Sequence, residues 1–224
     1  MDAYKQEFIE FMVRSGVLCF GEFTTKSGRK SPYFINTGNY RTGEQMAKLG
    51  SFYAQCIKET VTHEYDILFG PAYKGIPLAT AASVALYNRY GISKSFCFNR
   101  KEEKDHGEGG SLIGEKPTDG SRIVIVEDVI TSGKAVRETM PILLSAAKVQ
   151  VNDMVISVDR MEKGQNGISA KKEIKAEYGI DVHSIVTVKD VIEHMHGREL
   201  DGKVYLTDEI KKRMEEYIAM YCEE

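Results

Sequence analysis

The sequence predicts an α/β fold: a doubly wound, mostly parallel sheet flanked by helices, with a small N-terminal hood of helix and short strands. Three observations predict it. Short apolar runs recur at 66–69 (DILF), 95–98 (SFCF), 122–126 (RIVIV), 153–158 (DMVISV) and 182–188 (VHSIVTV). Helical patterns separate most of them, at 75–90, 134–147 and 168–178. Strands this apolar belong in a sheet covered on both faces, and alternation with helices makes such a sheet parallel. Third, polar segments follow several strands, where ligands bind in this architecture.

Before the first run, residues 2–14 carry Phe8, Ile9, Phe11 and Met12 at helical spacing, with Asp2 as a candidate N-cap. Phe20 to Ile35 reads as short strands around the polar turn TTKSGRKSP, and 43–60 as a second helix. Residues 204–222 form a terminal amphipathic helix. The segment 99–121 is polar, glycine-rich and longer than ordinary connections, so it reads as a functional or mobile loop. No repeat, low-complexity tract or linker divides the chain, which is expected to be a single domain over 1–224. The hood is assigned mainly to residues 1–40, with contributions from the C-terminal half.

At 224 residues the chain is long enough to bury roughly 70% of its unfolded surface without disulfides or metal. A net charge of −3 argues against a general nucleic-acid binder. Cys19, Cys56, Cys97 and Cys222 are widely spaced with no CxxC, which reads as reduced thiols. The start MDAYKQEFIEF lacks a signal peptide's cationic region, and no apolar run is long enough to span a membrane. A cytoplasmic location is expected. His63, His183, His194 and His196 show no ligand spacing and read as structural or surface groups.

Four segments carry candidate chemistry. In Glu127-Asp128-Val129-Ile130-Thr131-Ser132-Gly133-Lys134, an apolar strand meets two acids and then small residues opening a helix. Free backbone N–H groups and the helix dipole suit a phosphate monoester there. The acids repel that phosphate by roughly 4 kcal/mol per pair at about 4 Å and an effective dielectric near 20. They suit another part of the same ligand: vicinal hydroxyls, a Mg²⁺ shell, or positive charge developing on a sugar ring. A sugar phosphate satisfies both halves. In Gly70-Pro71-Ala72-Tyr73-Lys74-Gly75, glycines permit close backbone approach and Lys74 adds charge. The loop Arg100–Gly110 has three cations against four acids, so its charge alone does not mark a phosphate patch. Around Lys26, Phe34, Ile35 and Arg160, an apolar face and a fork-shaped cation suit a planar carboxylate.

VIVEDVITSGKAV resembles the 5-phosphoribosyl 1-diphosphate (PRPP) motif of type I phosphoribosyltransferases. TTKSGRKSPYFIN, GPAYKGIPLA, FNRKEEKDHGEGGSLIG and SVDRMEKG narrow the resemblance to the orotate phosphoribosyltransferase family, in its order and over nearly the whole chain. Glu127 stands where many members carry Asp, and Ile35 where some carry an aromatic residue.

The resemblance implies Mg²⁺-dependent transfer of phosphoribose from PRPP to orotate, giving orotidine 5′-monophosphate and diphosphate in pyrimidine biosynthesis. It places PRPP on Lys26, Tyr73, Lys74, Arg100, Lys101, Lys104, His106, Glu127, Asp128, Val129, Ile130, Thr131, Ser132, Gly133, Lys134 and Ala135. It places orotate on Lys26, Phe34, Ile35, Thr131 and Arg160. Lys104, His106 and Asp128 take the catalytic roles. Mg²⁺ is implied to be held by PRPP and water rather than mainly by protein. Loop 100–110 is implied to act as a lid, shared across a homodimer interface. Two other readings stay open: a phosphoribosyltransferase for another base, and a non-catalytic PRPP-sensing regulator.

Overall fold

The chain begins with α1 (Ala3–Arg14), then an antiparallel hairpin of β1 (Leu18–Thr24) and β2 (Lys30–Ile35), a 3-10 turn at Thr37–Asn39, and α2 (Gly43–Thr60). The alternating part runs β3 (Ile67–Gly70), α3 (Gly75–Tyr90), β4 (Ser95–Asn99), β5 (Leu112–Gly114), β6 (Arg122–Ile130), α4 (Lys134–Ala146), β7 (Gln150–Asp159), α5 (Ala170–Tyr178) and β8 (Asp181–Thr187). It closes with α6 (Val188–Met195), a two-residue hairpin of β9 (Glu199–Leu200) and β10 (Lys203–Val204), and α7 (Asp208–Tyr221). This computed structural model describes residues 1–25, 28–101, 111–164 and 167–223.

The main sheet has the order β5-β4-β3-β6-β7-β8. All its neighbours pair in parallel except β5, which runs antiparallel on β4. The pleat explains the layers. On β6, Val124 and Val126 join one apolar cluster, with α1, α2, α3, α6 and α7. Ile123 and Ile125 join the other, with α4 and α5. Each fully buried Val, Ile or Leu contributes roughly 1.5–3 kcal/mol, so the two clusters hold the sheet between helices.

From β3 the chain crosses to β4 on one side, and from β6 to β7 on the other. The crevice beyond the C-terminal ends of β3 and β6 is therefore the topological switch point.

Several boundaries differ from the sequence expectation. The strand predicted at 122–126 continues to Ile130, because β7 pairs with it as far as Ile130↔Asp159. Glu127 and Asp128 thus lie on the strand, not in the loop after it. The predicted strand 182–188 ends at Thr187, whose capping box with Asp190 starts α6. The predicted helix 204–222 begins at Asp208, because Lys203–Val204 pairs with Glu199–Leu200. The unassigned segment 99–121 contains β5.

The histidines read as structural or surface groups each lie beside a carboxylate. His63 Nδ1 and His183 Nε2 lie 2.9 and 2.8 Å from the buried Asp153 carboxylate. His194 Nε2 lies 3.1 Å from Glu10, and His196 Nε2 lies 2.7 Å from Asp208. These are fold contacts: the Asp153 cluster sits at the N-terminal ends of β7 and β8, away from the switch point.

Candidate active site

The turn from β3 into α3 is tight because its glycines touch. A Cβ on Gly70 would lie 2.1 Å from the Gly75 carbonyl oxygen, and one on Gly75 would lie 2.7 Å from Pro71 Cδ. The Ala72 N–H donates to Asn99 Oδ1 at 2.8 Å, and the Ala72–Tyr73 peptide is cis. Tyr73 is 65% exposed, and Lys101 Nζ lies 5.0 Å from the centre of its ring. Lys74 crosses the crevice: its Nζ donates to Asp128 Oδ2 at 2.9 Å. The resemblance implies a place for Lys74 on PRPP; in the structure its ammonium offsets the charge of the carboxylate opposite.

Glu127 and Asp128 are only 8% and 7% exposed. Strand carbonyls around them are fastened from neighbouring elements: the Tyr53 hydroxyl donates to the Glu127 carbonyl at 2.7 Å, and the Ser157 hydroxyl to the Asp128 carbonyl at 2.5 Å. Burial holds the Tyr53 phenol far above its ordinary range, so it stays a donor. Asp128 Oδ1 accepts from the Val129 N–H at 2.8 Å. Asp128 Oδ2 accepts from the Thr37 hydroxyl at 2.6 Å as well as from Lys74.

Glu127 has a poorer environment. Its Oε1 accepts from the Asp128 N–H at 2.9 Å. Burial, and after it the negative charge of Asp128, push its carboxyl up to about 8. Lys74 acts weakly in the opposite direction.

Beyond Ile130 the loop Thr131–Gly133 enters α4. The N-cap is Gly133 at φ 69°, with no side-chain cap. Thr42, Ser169, Thr187 and Thr207 cap α2, α5, α6 and α7 with their hydroxyls. The two helices that open on the crevice, α3 and α4, have no such cap. On α3 the Gly75 N–H already donates to the Pro71 carbonyl at 3.0 Å, so the start of α4, opened by Gly133, is the helix end that suits an anion. A cavity of about 310 Å³ lies there, lined by Lys74, the two acids, Thr131, Gly133 and Lys134 among others.

The third segment is described only at its ends. The Arg100 N–H donates to the Ser111 carbonyl at 2.7 Å, closing the neck of the loop, and β4–β5 pairing extends that neck. Lys104 and His106 lie outside the described residues, as does Lys26 of the hood turn.

Phe34 is on β2, 38% exposed, and its ring stacks on Phe23 across the hairpin, with centroids 5.5 Å apart and planes at 24°. A second ring is thus present where Ile35 does not supply one; Ile35 instead packs on the core. Arg160 follows β7, its guanidinium carbon 5.0 Å from the centre of the buried Tyr33 ring. Its Nε and Nη2 donate to Glu162 Oε1 at 3.0 and 2.6 Å, and the Tyr217 hydroxyl donates to the same oxygen at 2.7 Å. Arg160 is therefore already paired with an internal carboxylate, between the hairpin and α7.

Sequence reasoning missed Thr37, Tyr53, Phe23, Asn99, Ser157 and Glu162. Ser157 was visible as a lone hydroxyl in an apolar strand. Thr37 had no local signal, since its partner is 91 residues away.

Residues 36–191 match the phosphoribosyl transferase domain family. The orotate phosphoribosyltransferase of Clostridium beijerinckii is 53% identical over 221 residues, covering 99% of each chain. That of Clostridium acetobutylicum is 54% identical, with the same coverage. This chain belongs to the orotate phosphoribosyltransferase family. Among solved structures, the orotate phosphoribosyltransferase of Francisella tularensis is 37% identical, with a TM-score of 0.83, covering 97% of this chain and 100% of that one. A Mycobacterium tuberculosis orotate phosphoribosyltransferase solved with PRPP shares the fold at 20% identity and a TM-score of 0.62, covering 84% of this chain and 98% of that one.

Proposed function

We propose that this orotate phosphoribosyltransferase family chain transfers phosphoribose from PRPP to orotate, giving orotidine 5′-monophosphate and diphosphate, and so serves pyrimidine nucleotide synthesis. One observation carries the reading: a buried acid pair near the C-terminal end of β6 is followed, across Val129–Gly133, by a glycine-opened helix with no side-chain cap. That juxtaposition offers opposite potentials a few residues apart, and a sugar phosphate needs both.

The 5′-phosphate sits on the N–H groups of Thr131–Ala135, and Asp128 with Glu127 takes the ribose hydroxyls. The diphosphate lies toward Tyr73, Lys74, Arg100 and Lys101, with Lys104 and His106 of the loop closing over it. Orotate lies in the hood against Phe34 and Ile35, beside Lys26 and Arg160. For Arg160 to grip the orotate carboxylate, it must share its fork with Glu162 or leave it.

Orotate is an anion at neutral pH, so the transfer needs no strong base and no covalent nucleophile. The bond from C1′ to the diphosphate oxygen breaks, a bond from the orotate ring nitrogen to C1′ forms, and the diphosphate takes the electron pair. Positive charge passes through C1′ and the ring oxygen, where Asp128 stabilises it. Lys74 swings from Asp128 to the leaving anion, so one cation serves both states. Positioning accounts for much of the rest.

Mg²⁺ fits this site as a partner of the substrate. The acids already hold backbone and hydroxyl donors, as expected where the cation keeps its waters and binds substrate oxygens. The cluster with metal-ligand spacing among the described residues, His63, Asp153 and Asp181, lies at the other end of the strands. When bound, Mg²⁺ would neutralise charge on the diphosphate, and Asp128 and Glu127 would be the acids available to its water shell.

The homodimer belongs to the same proposal: Tyr73, Tyr87, Val84 and Phe96 leave apolar surface exposed on the β3–α3–β4 side, next to the loop neck. No helix among the described residues is long and apolar enough to cross a membrane.

The test is the loss of orotate ultraviolet absorbance on adding PRPP and Mg²⁺ to the purified chain, with purine bases and uracil assayed in parallel for diphosphate release. Orotate alone is expected to react. Turnover of another base in preference to orotate, or none by a folded protein, would sink the proposal.

A further inference from the structure

The acid that faces the ribose is aimed from the hood as well as from its own strand. Thr37 stands at the start of the 3-10 turn directly after β2. That turn is pinned: the Asn36 side chain accepts from the Gly38 N–H at 3.2 Å, and Asn39 Nδ2 donates to the Gly16 carbonyl at 2.7 Å. The Asn36 N–H also donates to the Val17 carbonyl at 2.8 Å. From this fixed base the Thr37 hydroxyl donates to Asp128 Oδ2 at 2.6 Å, a length typical of a hydroxyl on a carboxylate.

The other donor on that oxygen is of a different kind. Lys74 is 58% exposed, on a flexible stem, and is needed at the leaving anion. When it departs, Thr37 and the Val129 N–H remain to fix the carboxylate. A β-branched side chain on a pinned turn loses little freedom in doing so.

We propose that Thr37 is a positioning residue for the reaction: it holds the Asp128 carboxylate at the ribose while Lys74 moves to the diphosphate. The inference rests on the reading of Asp128 as the ribose acid, and it goes beyond that reading by assigning the hood a part in aiming the acid. Since Phe34 lies on β2, just before the turn that carries Thr37, base binding and aiming of the acid share one segment of the hood.

The experiment compares Thr37→Val, Thr37→Ser and Asp128→Asn, alone and with Thr37→Val added to Asp128→Asn. PRPP affinity is read by calorimetry without orotate, and steady-state constants for both substrates are measured. Thr37→Val keeps shape and loses the hydroxyl. It is expected to weaken kcat/KM for PRPP about tenfold, the effect of one lost hydrogen bond to a charged group. KM for orotate should change less than about twofold, since the base contacts are intact. Thr37→Ser should recover most of the loss. In the Asp128→Asn background, Thr37→Val should cost little more, because the bond it breaks is already altered.

Wild-type PRPP kinetics in Thr37→Val, together with an impaired Asp128→Asn, overturns the inference and leaves the site reading intact. Unimpaired Asp128→Asn overturns both. A folded Thr37→Ser as poor as Thr37→Val also overturns the inference, because the hydroxyl is then not what matters.

Discussion

The proposed site makes PRPP binding pH-dependent through Glu127, and the direction follows from the surroundings of that carboxyl. In the ligand-free protein its carboxyl is held up at about 8, first by burial and then by the charge of Asp128. Ribose hydroxyls donate hydrogen bonds, and donors favour the charged form of a carboxylate. Binding therefore expels the proton, and affinity rises with pH until the free protein has already lost it. The magnitude follows from the ionised fraction. With a value near 8, about one molecule in eleven is ionised at pH 7 and about ten in eleven at pH 9. The apparent dissociation constant scales inversely with that fraction, so it should tighten about tenfold over this interval. This range avoids the second ionisation of the 5′-phosphate, near 6.

The assay is titration calorimetry with PRPP at constant Mg²⁺, in two buffers of different ionisation enthalpy. It should show net proton release on binding at pH 7 that falls away as pH rises to 9. Glu127→Gln should bind more weakly at high pH and lose the slope. The ligand-free fold should respond in the opposite sense: a carboxyl raised from 4.5 to about 8 favours folding at low pH, so its contribution is lost as pH climbs through that window. Affinity that stays flat between pH 7 and 9, with no proton released, would refute the assignment of Glu127 to the ribose.

Gly70→Ala should lower the melting temperature by several degrees and abolish PRPP binding. A Cβ there meets the Gly75 oxygen at 2.1 Å, and such overpacking costs about 1–3 kcal/mol; calorimetric melting checks it. Phe34→Ala should raise KM for orotate about five- to tenfold, leaving KM for PRPP nearly unchanged, because one stacking face is lost; steady-state kinetics decide it. Lys104→Ala should cut turnover about 10²-fold or more, as for one lost transition-state contact. Mixing Lys104→Ala chains with Asp128→Asn chains should restore activity if the loop serves the neighbouring site; no recovery despite proven subunit exchange counts against a shared site.

What the sequence could convey depended on how local each cause is. The helices at 43–60 and 75–90 are matched end to end because their signals are adjacent to them. Thr42 and Gln45 form a capping box, and Gly91 ends α3 in the left-handed conformation. The missed pieces carried local signals too: Thr187 with Asp190 is a capping box, and Asp201-Gly202, at φ 52° and 78°, is a tight hairpin turn. The extent of β6 was illegible for a different reason. Two carboxylates look like a loop, and they sit buried within a central strand where Tyr53, Ser157, Thr37 and Lys74 converge from four other parts of the chain. No window of sequence contains that convergence.

The same logic sorts the site residues. The segment proposed to cradle the phosphate is continuous and could be read directly. Lys26, Lys104 and His106 were reached only through resemblance and lie outside the described residues. Arg160 was placed by its chemistry, and the structure adds the competitor that chemistry alone could not supply, Glu162 two residues on. That pairing has a consequence for specificity. A ligand carboxylate must match the hold of Glu162 on the Arg160 fork, so a neutral base such as uracil gives Arg160 no reason to leave. In the proposed site, discrimination for the acid over its decarboxylated analogue thus rests on the Arg160–Glu162 ion pair, rather than on an empty cationic pocket.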